Sequence, residues 1–172
     1  DLKTVITGDN LPVLLAGLGA IGLVLLLNFK NPLIALILLL VIEGAIWLNM
    51  GVPYIMGAPM NYIGYQIVSS VQLGATVDYG ILLAQRYLEG RRTMEKKEAA
   101  AWALGISAGS ILPPAMILTS AGYLLGILVK ENGVISQMGI IIGRGASISC
   151  GMVLLVLPLL LVWCDGLITR SF

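Results

Sequence analysis

An aspartate and a tyrosine stand side by side in the middle of an apolar run, Gln72-Leu73-Gly74-Ala75-Thr76-Val77-Asp78-Tyr79-Gly80-Ile81-Leu82-Leu83-Ala84-Gln85-Arg86-Tyr87. An ionisable side chain inside a segment apolar enough to cross a bilayer is rare, and it commonly marks an ion or proton path. Asp78 is expected to be buried, and burial of a carboxylic acid favours its protonated form, so that it can take up and release a proton as its surroundings change. Tyr79 projects about 100° round the helix from Asp78, on the face of Ala75, Thr76 and Leu83, so the two neighbours meet different surroundings. A buried phenol also needs a hydrogen-bond partner. The competing reading of Asp78 is a carboxylate held in a fixed structural pair.

Two other charges fall inside apolar runs. Glu43 and Arg144 lie about 7 and 10 residues from the same ends of their spans, close to level along helices that rise about 1.5 Å per residue. A structural ion pair between them is the expectation, with Gly143 and Gly145 letting a neighbouring helix approach closely. Arg144 stays charged in either case, and as an alternative to Glu43 it is a counter-ion for Asp78. Ser107, Ser110, Thr119 and Ser120 dot another run. Such hydroxyls usually serve packing and local hydrogen bonding, but by depth Ser107 and Ser110 are candidate partners of Asp78, and Thr119 is a weaker one.

Other chemistries lack the residues they need. The sequence has no histidine and only two cysteines, Cys150 and Cys164. These are about 21 Å apart along one helix, beyond the roughly 7 Å a disulfide spans, and two separated thiols give no metal-ligand set. No nucleophile and base recur together, so no enzymatic activity is expected, and nothing points to a cofactor. The net charge of +1 lies in short patches, without the basic surface that nucleic acid requires.

The elements that must position these residues follow from composition. Of 172 residues, 58% are hydrophobic and 11% charged, with a mean hydropathy of +0.97. Because about 20 apolar residues cross a bilayer, the chain reads as an all-α polytopic membrane protein with five spans. They are expected at 11–27, 33–50, 62–87, 100–129 and 134–163. Residues 1–10 form a lead-in with Asn10 as a candidate cap, 88–99 a charged loop and 164–172 a tail. Pro32 suits a first helical turn, while the Pro- and Gly-containing stretch 51–61 is expected to lie at the surface or partly re-enter. Thr93 is a candidate cap for a short helix, and Pro113-Pro114 is expected to kink the fourth span.

Arranged in five spans, the chain puts Lys30, Arg86, Arg91, Arg92, Lys96, Lys97 and Arg170 on one side and only Lys3 and Lys130 on the other. The positive-inside rule then sets the charged loop and C-terminus in the cytoplasm and the N-terminus outside. On this reading the chain is a multi-pass protein of the plasma or inner membrane. Asp78 lies about 13 Å from the cytoplasmic end of its helix.

The run Gly74-Ala75-Thr76-Val77-Asp78-Tyr79-Gly80-Ile81-Leu82-Leu83, followed by Arg86-Tyr87, resembles the fourth-helix pattern of the resistance-nodulation-division (RND) superfamily, in its MMPL branch of lipid and hydrophobe exporters. Gly143-Arg144-Gly145 and Val156-Leu157-Pro158 add to the likeness, which covers nearly the whole chain as helices two to six of one six-helix half. The resemblance implies that Asp78 and Tyr79 form a proton relay driving export of a lipid or other hydrophobic substrate. It also implies a second, pseudo-symmetric transmembrane half, in the same polypeptide or another, and an extracytoplasmic porter domain. Relatives with sterol-sensing domains share the five-helix arrangement. They supply the alternative, a lipid-sensing or partner-binding module that does not transport.

Overall fold

The computed structural model describes residues 10–29, 31–55, 57, 62–129 and 133–168, without the side chains of 10–15 and 62–68. The helices are α1 (Asn10–Phe29), α2 (Pro32–Ile55), α3 (Tyr62–Gly90), α4 (Lys96–Leu128), α5 (Gly133–Gly151) and α6 (Leu157–Ile168), the last two joined through a π-helical turn at Met152–Val156. The result is an all-helical, five-helix transmembrane bundle, the class expected from the sequence. Among the described residues, α2, α4 and the continuous helix Gly133–Ile168 are long and apolar enough to cross a membrane, and Ala16–Phe29 is a shorter apolar stretch. The lead-in 1–9, the Asn10 side chain, the turn 130–132 and the tail 169–172 lie outside the described residues.

Several boundaries differ from those read in the sequence. Helix α2 runs on to Ile55 with Pro53 inside it, so part of the stretch expected to be broken is helical; a proline removes one ladder hydrogen bond, which a packed helix can absorb. Helix α4 begins at Lys96, and Glu95 occupies the capping position without a side-chain cap bond. Thr93 instead sits in the turn, where its N–H donates to the Gly90 carbonyl (3.1 Å). Pro113 and Pro114 lie within α4, which continues through both. The widened turn falls just before Pro158, whose ring would crowd the carbonyl of Leu154 in a regular ladder. The Leu157 N–H donates to the Met152 carbonyl there.

Small residues set the closest approach in the bundle. Gly122 and Gly126 of α4 interleave with Gly139 and Gly143 of α5. A Cβ on Gly139 would lie 2.7 Å from Gly126 N and 2.8 Å from the Gly122 carbonyl oxygen, and one on Gly143 would lie 2.9 Å from the Thr119 carbonyl oxygen. The Ser136 hydroxyl donates to the Gly126 carbonyl across the same seam (2.6 Å). In lipid, where burial of apolar surface drives no association, such backbone contact is what holds two helices together. The larger side chains of the core, among them Leu38, Ile42, Leu83, Ile111, Leu157 and Leu161, are fully buried between α2, α3, α4 and α6.

Candidate functional site

Helix α3 carries two polar faces with different partners. One face holds Gln72 and Thr76, four residues apart and so one above the other; they are 4% and 0% exposed. Gln72 Nε2 donates to the Ala45 carbonyl (3.0 Å) and to Ser149 Oγ (3.1 Å). Its Oε1 accepts from Asn49 Nδ2 (2.7 Å), which also donates to the Ile141 carbonyl (3.2 Å). The Thr76 hydroxyl reaches the Gln72 carbonyl (2.6 Å) and Ser149 Oγ (2.7 Å). Both amides thus use both N–H groups and the carbonyl oxygen, the condition for burying an amide cheaply.

Arg144 closes this network. Its Nε donates to Asn49 Oδ1 (2.8 Å) and its Nη2 to the Asn49 backbone carbonyl (2.9 Å). The expected pair with Glu43 does not form among the described residues: Glu43 sits six positions before Asn49, about 120° away round α2. The flanking glycines face different neighbours. Gly143 meets α4, whereas a Cβ on Gly145 would lie 2.6 Å from Asn49 Nδ2 and 2.7 Å from Gln72 Oε1. A glycine at 145 is therefore what lets α5 abut the amide pair.

Asp78, expected to be buried, is instead exposed on the other polar face of α3. Val71, Gly74, Asp78 and Gln85 are all exposed and make one stripe along α3, and a Cβ on Gly74 would touch nothing. No described residue pairs with Asp78, including Arg144. Tyr79 is half-buried against the core, on the side of Cys150. Neither Ser107, Ser110 nor Thr119 is hydrogen-bonded to Asp78. Ser107 is 1% exposed with its hydroxyl unpartnered among the described residues, Ser110 is exposed, and Thr119 Oγ1 lies 3.2 Å from Ser147 Oγ.

A third cluster closes the end of the bundle that carries the charged turn. Arg91 grips Asp165 with two parallel bonds, Nε to Oδ1 (2.7 Å) and Nη2 to Oδ2 (2.9 Å), and its Nη1 donates to the Met94 carbonyl (2.7 Å). The ion pair holds the Arg91 pKa above its ordinary value. Tyr87, 1% exposed, donates its hydroxyl to Asp165 Oδ1 (2.7 Å). Asn31 Nδ2 donates to the Ile168 carbonyl (3.4 Å), and its Oδ1 accepts from the Leu33 N–H (3.0 Å). Asp165 falls in the expected tail 164–172 and Tyr87 at the last position of the expected span 62–87; both are buried, and Arg91 folds back from the turn onto Asp165.

Asn49, Gln72, Ser149 and Asp165 were missed as a group. The signal available was an amide or acid in an apolar run, and for Gln72 and Thr76 their four-residue spacing. Cys150 and Cys164 are free thiols, and no grouping of metal-ligand side chains occurs among the described residues.

Comparison with known proteins places these features in context. Residues 1–166 match the model of the MMPL family. A protein of Methanocaldococcus jannaschii described as a membrane protein is 28% identical over 147 residues, which are 85% of this chain and 37% of that relative. The chain thus spans little more than a third of the relative's length. No solved structure matches it.

Proposed function

Since the chain belongs to the MMPL family, we propose that it is the transmembrane module of a proton-motive-force-driven exporter of lipids or other hydrophobic compounds, with Asp78 and Tyr79 as its proton relay. The observation that carries this reading is the position of Asp78: exposed in mid-helix, beside an open glycine, and apart from the polar network that consolidates the bundle. A carboxylate facing lipid tails would be costly. Its outward face therefore belongs against another polar surface, which a second, pseudo-symmetric half supplies. Tyr79, turned toward α5, links that surface to the bundle interior. Ser107 is the best placed of the three hydroxyls to accept a role when helices shift, because its buried Oγ has no described partner.

On this reading the charged turn faces the cytoplasm and the N-terminus the outside, with an extracytoplasmic porter domain completing the substrate path. In the transport-competent assembly, Asp78→Asn should abolish substrate-dependent proton flux into proteoliposomes. Undiminished proton-driven transport would sink the relay assignment.

A second reading, a lipid- or sterol-sensing module without transport, is favoured by one feature: the network of Asn49, Gln72, Thr76, Arg144 and Ser149 contains no carboxylic acid. Lipid binding indifferent to pH and to Asp78→Asn would favour that alternative.

A further inference from the structure

The end of the bundle that carries the charged turn holds a cavity of about 630 Å³, lined by Asn28, Phe29, Gln85, Leu88, Glu89, Arg91, Arg92, Asp165 and Ile168. That size suits a small-molecule or headgroup site. Its wall is amphipathic, with Phe29, Leu88 and Ile168 supplying the apolar part.

The wall carries two carboxylates, Glu89 and Asp165, and two arginines, Arg91 and Arg92, but one carboxylate is also paired with an arginine outside the lining. Glu89 is paired with Arg86 (2.8 Å), and Asp165 is gripped by Arg91. Each carboxylate therefore already has its own arginine. Arg92 is exposed and has no partner among the described residues, so it is the surplus charge. Beside it, Gln85 Nε2 donates to Asn28 Oδ1 (2.8 Å). That bond leaves one Gln85 N–H and both N–H groups of Asn28 unused, since each amide nitrogen carries two. A cation and three amide donors over an apolar wall suit an anionic oxygen group attached to an aliphatic body. Basic pockets between helices at the cytoplasmic side of a membrane bind anionic lipid head groups on the same principle.

We propose that this cavity binds the phosphate of an anionic phospholipid, held by Arg92 and the Asn28–Gln85 amides, with the upper part of its chains on Phe29, Leu88 and Ile168. The site does not involve Asp78, so it stands or falls separately from the proton relay.

Native mass spectrometry of the detergent-solubilised 172-residue chain tests it, with phosphatidylglycerol and phosphatidylcholine offered separately. Preferential retention of phosphatidylglycerol is expected, about fivefold weaker in Arg92→Gln and unchanged in Lys97→Gln or Asp78→Asn. Leu88→Trp, which fills the cavity, should lower retention without removing a charge. Excess inorganic phosphate should not displace the lipid. Equal retention of the two lipids, retention of neither, or indifference to both Arg92→Gln and Leu88→Trp would overturn the proposal. Displacement by inorganic phosphate would overturn the lipid assignment in favour of a free phosphate.

Discussion

Two glycine-to-alanine changes that look alike in sequence should move stability in opposite directions. In Gly139→Ala the new methyl would sit 2.7 Å from Gly126 N and 2.8 Å from the Gly122 carbonyl oxygen. Non-bonded heavy atoms settle near 3.5–4.0 Å, so α4 and α5 must separate by about 1 Å. Both close neighbours are backbone, and no side chain can rotate away to make room. Overpacking of this kind costs about 1–3 kcal/mol, whereas alanine gains up to about 1 kcal/mol over glycine in helix propensity. At Gly109 a Cβ would meet nothing within 4 Å, so Gly109→Ala should keep only the propensity gain. Because the propensity gain is common to both, the two variants should differ by the overpacking cost, about 1–3 kcal/mol, or roughly 2–12 °C in unfolding midpoint at about 2–4 °C per kcal/mol. Circular dichroism of the chain in one detergent, heated at one rate, reads the difference directly. Equal midpoints, or a higher midpoint for Gly139→Ala, would refute the claim that glycine backbone contact holds α4 against α5.

Removal of the Asp165 carboxylate by Asp165→Ala strands Arg91 and Tyr87 together. The cost for a fully buried pair is about 3–5 kcal/mol; with the Arg91 side chain 24% exposed, water offsets part of it, and thermal unfolding should show a loss of about 1–3 kcal/mol. Asn49→Leu should destabilise the chain by about 2–4 kcal/mol, because it leaves Gln72 Oε1 and the Arg144 guanidinium without their buried partners; the unfolding midpoint checks this. Asp78→Asn should leave the midpoint of this chain within about 0.5 kcal/mol of the parent, as expected for a surface substitution without a partner. Gly74→Leu should likewise be tolerated in this chain; on the proposed function, with a second half packed against the Asp78 stripe, it should abolish proton-driven transport by the full assembly.

The helices were legible because the membrane makes hydrophobic runs a direct record of length. What the runs do not record is direction round the helix. Glu43 and Arg144 were matched by counting residues from the span ends, which gives depth alone. Asn49, six residues beyond Glu43, is the position that turns toward α5, and it takes the guanidinium through Oδ1 and its backbone carbonyl. The burial of Tyr87 and Asp165 was not legible for a related reason. Each sits near the end of an apolar run, where composition suggests water, but Arg91 folds back over them from a turn whose path no periodicity encodes. The fourth-helix motif fared differently, because its azimuth can be checked: Gln72 and Thr76 repeat at four residues on the buried face, and Gly74 and Asp78 repeat at four on the exposed one.

That division separates the structural role of α3 from the relay role proposed for it. The buried face of α3 is tied to α2 and α5 by Gln72 and Thr76 without any group that titrates near neutral pH, so its packing is insensitive to proton uptake. The exposed face carries the one carboxylate of the helix interior and contributes little to holding this bundle together. Protonation of Asp78 would therefore act on whatever surface covers that stripe, leaving the five helices in register with one another. A relay placed inside the Asn49–Gln72–Arg144 network would instead have to break buried hydrogen bonds at every turnover, each unsatisfied group costing about 1–3 kcal/mol. On the proposed function, a relay carboxylate outside the network would let the bundle shift as a unit against a second half without breaking those bonds.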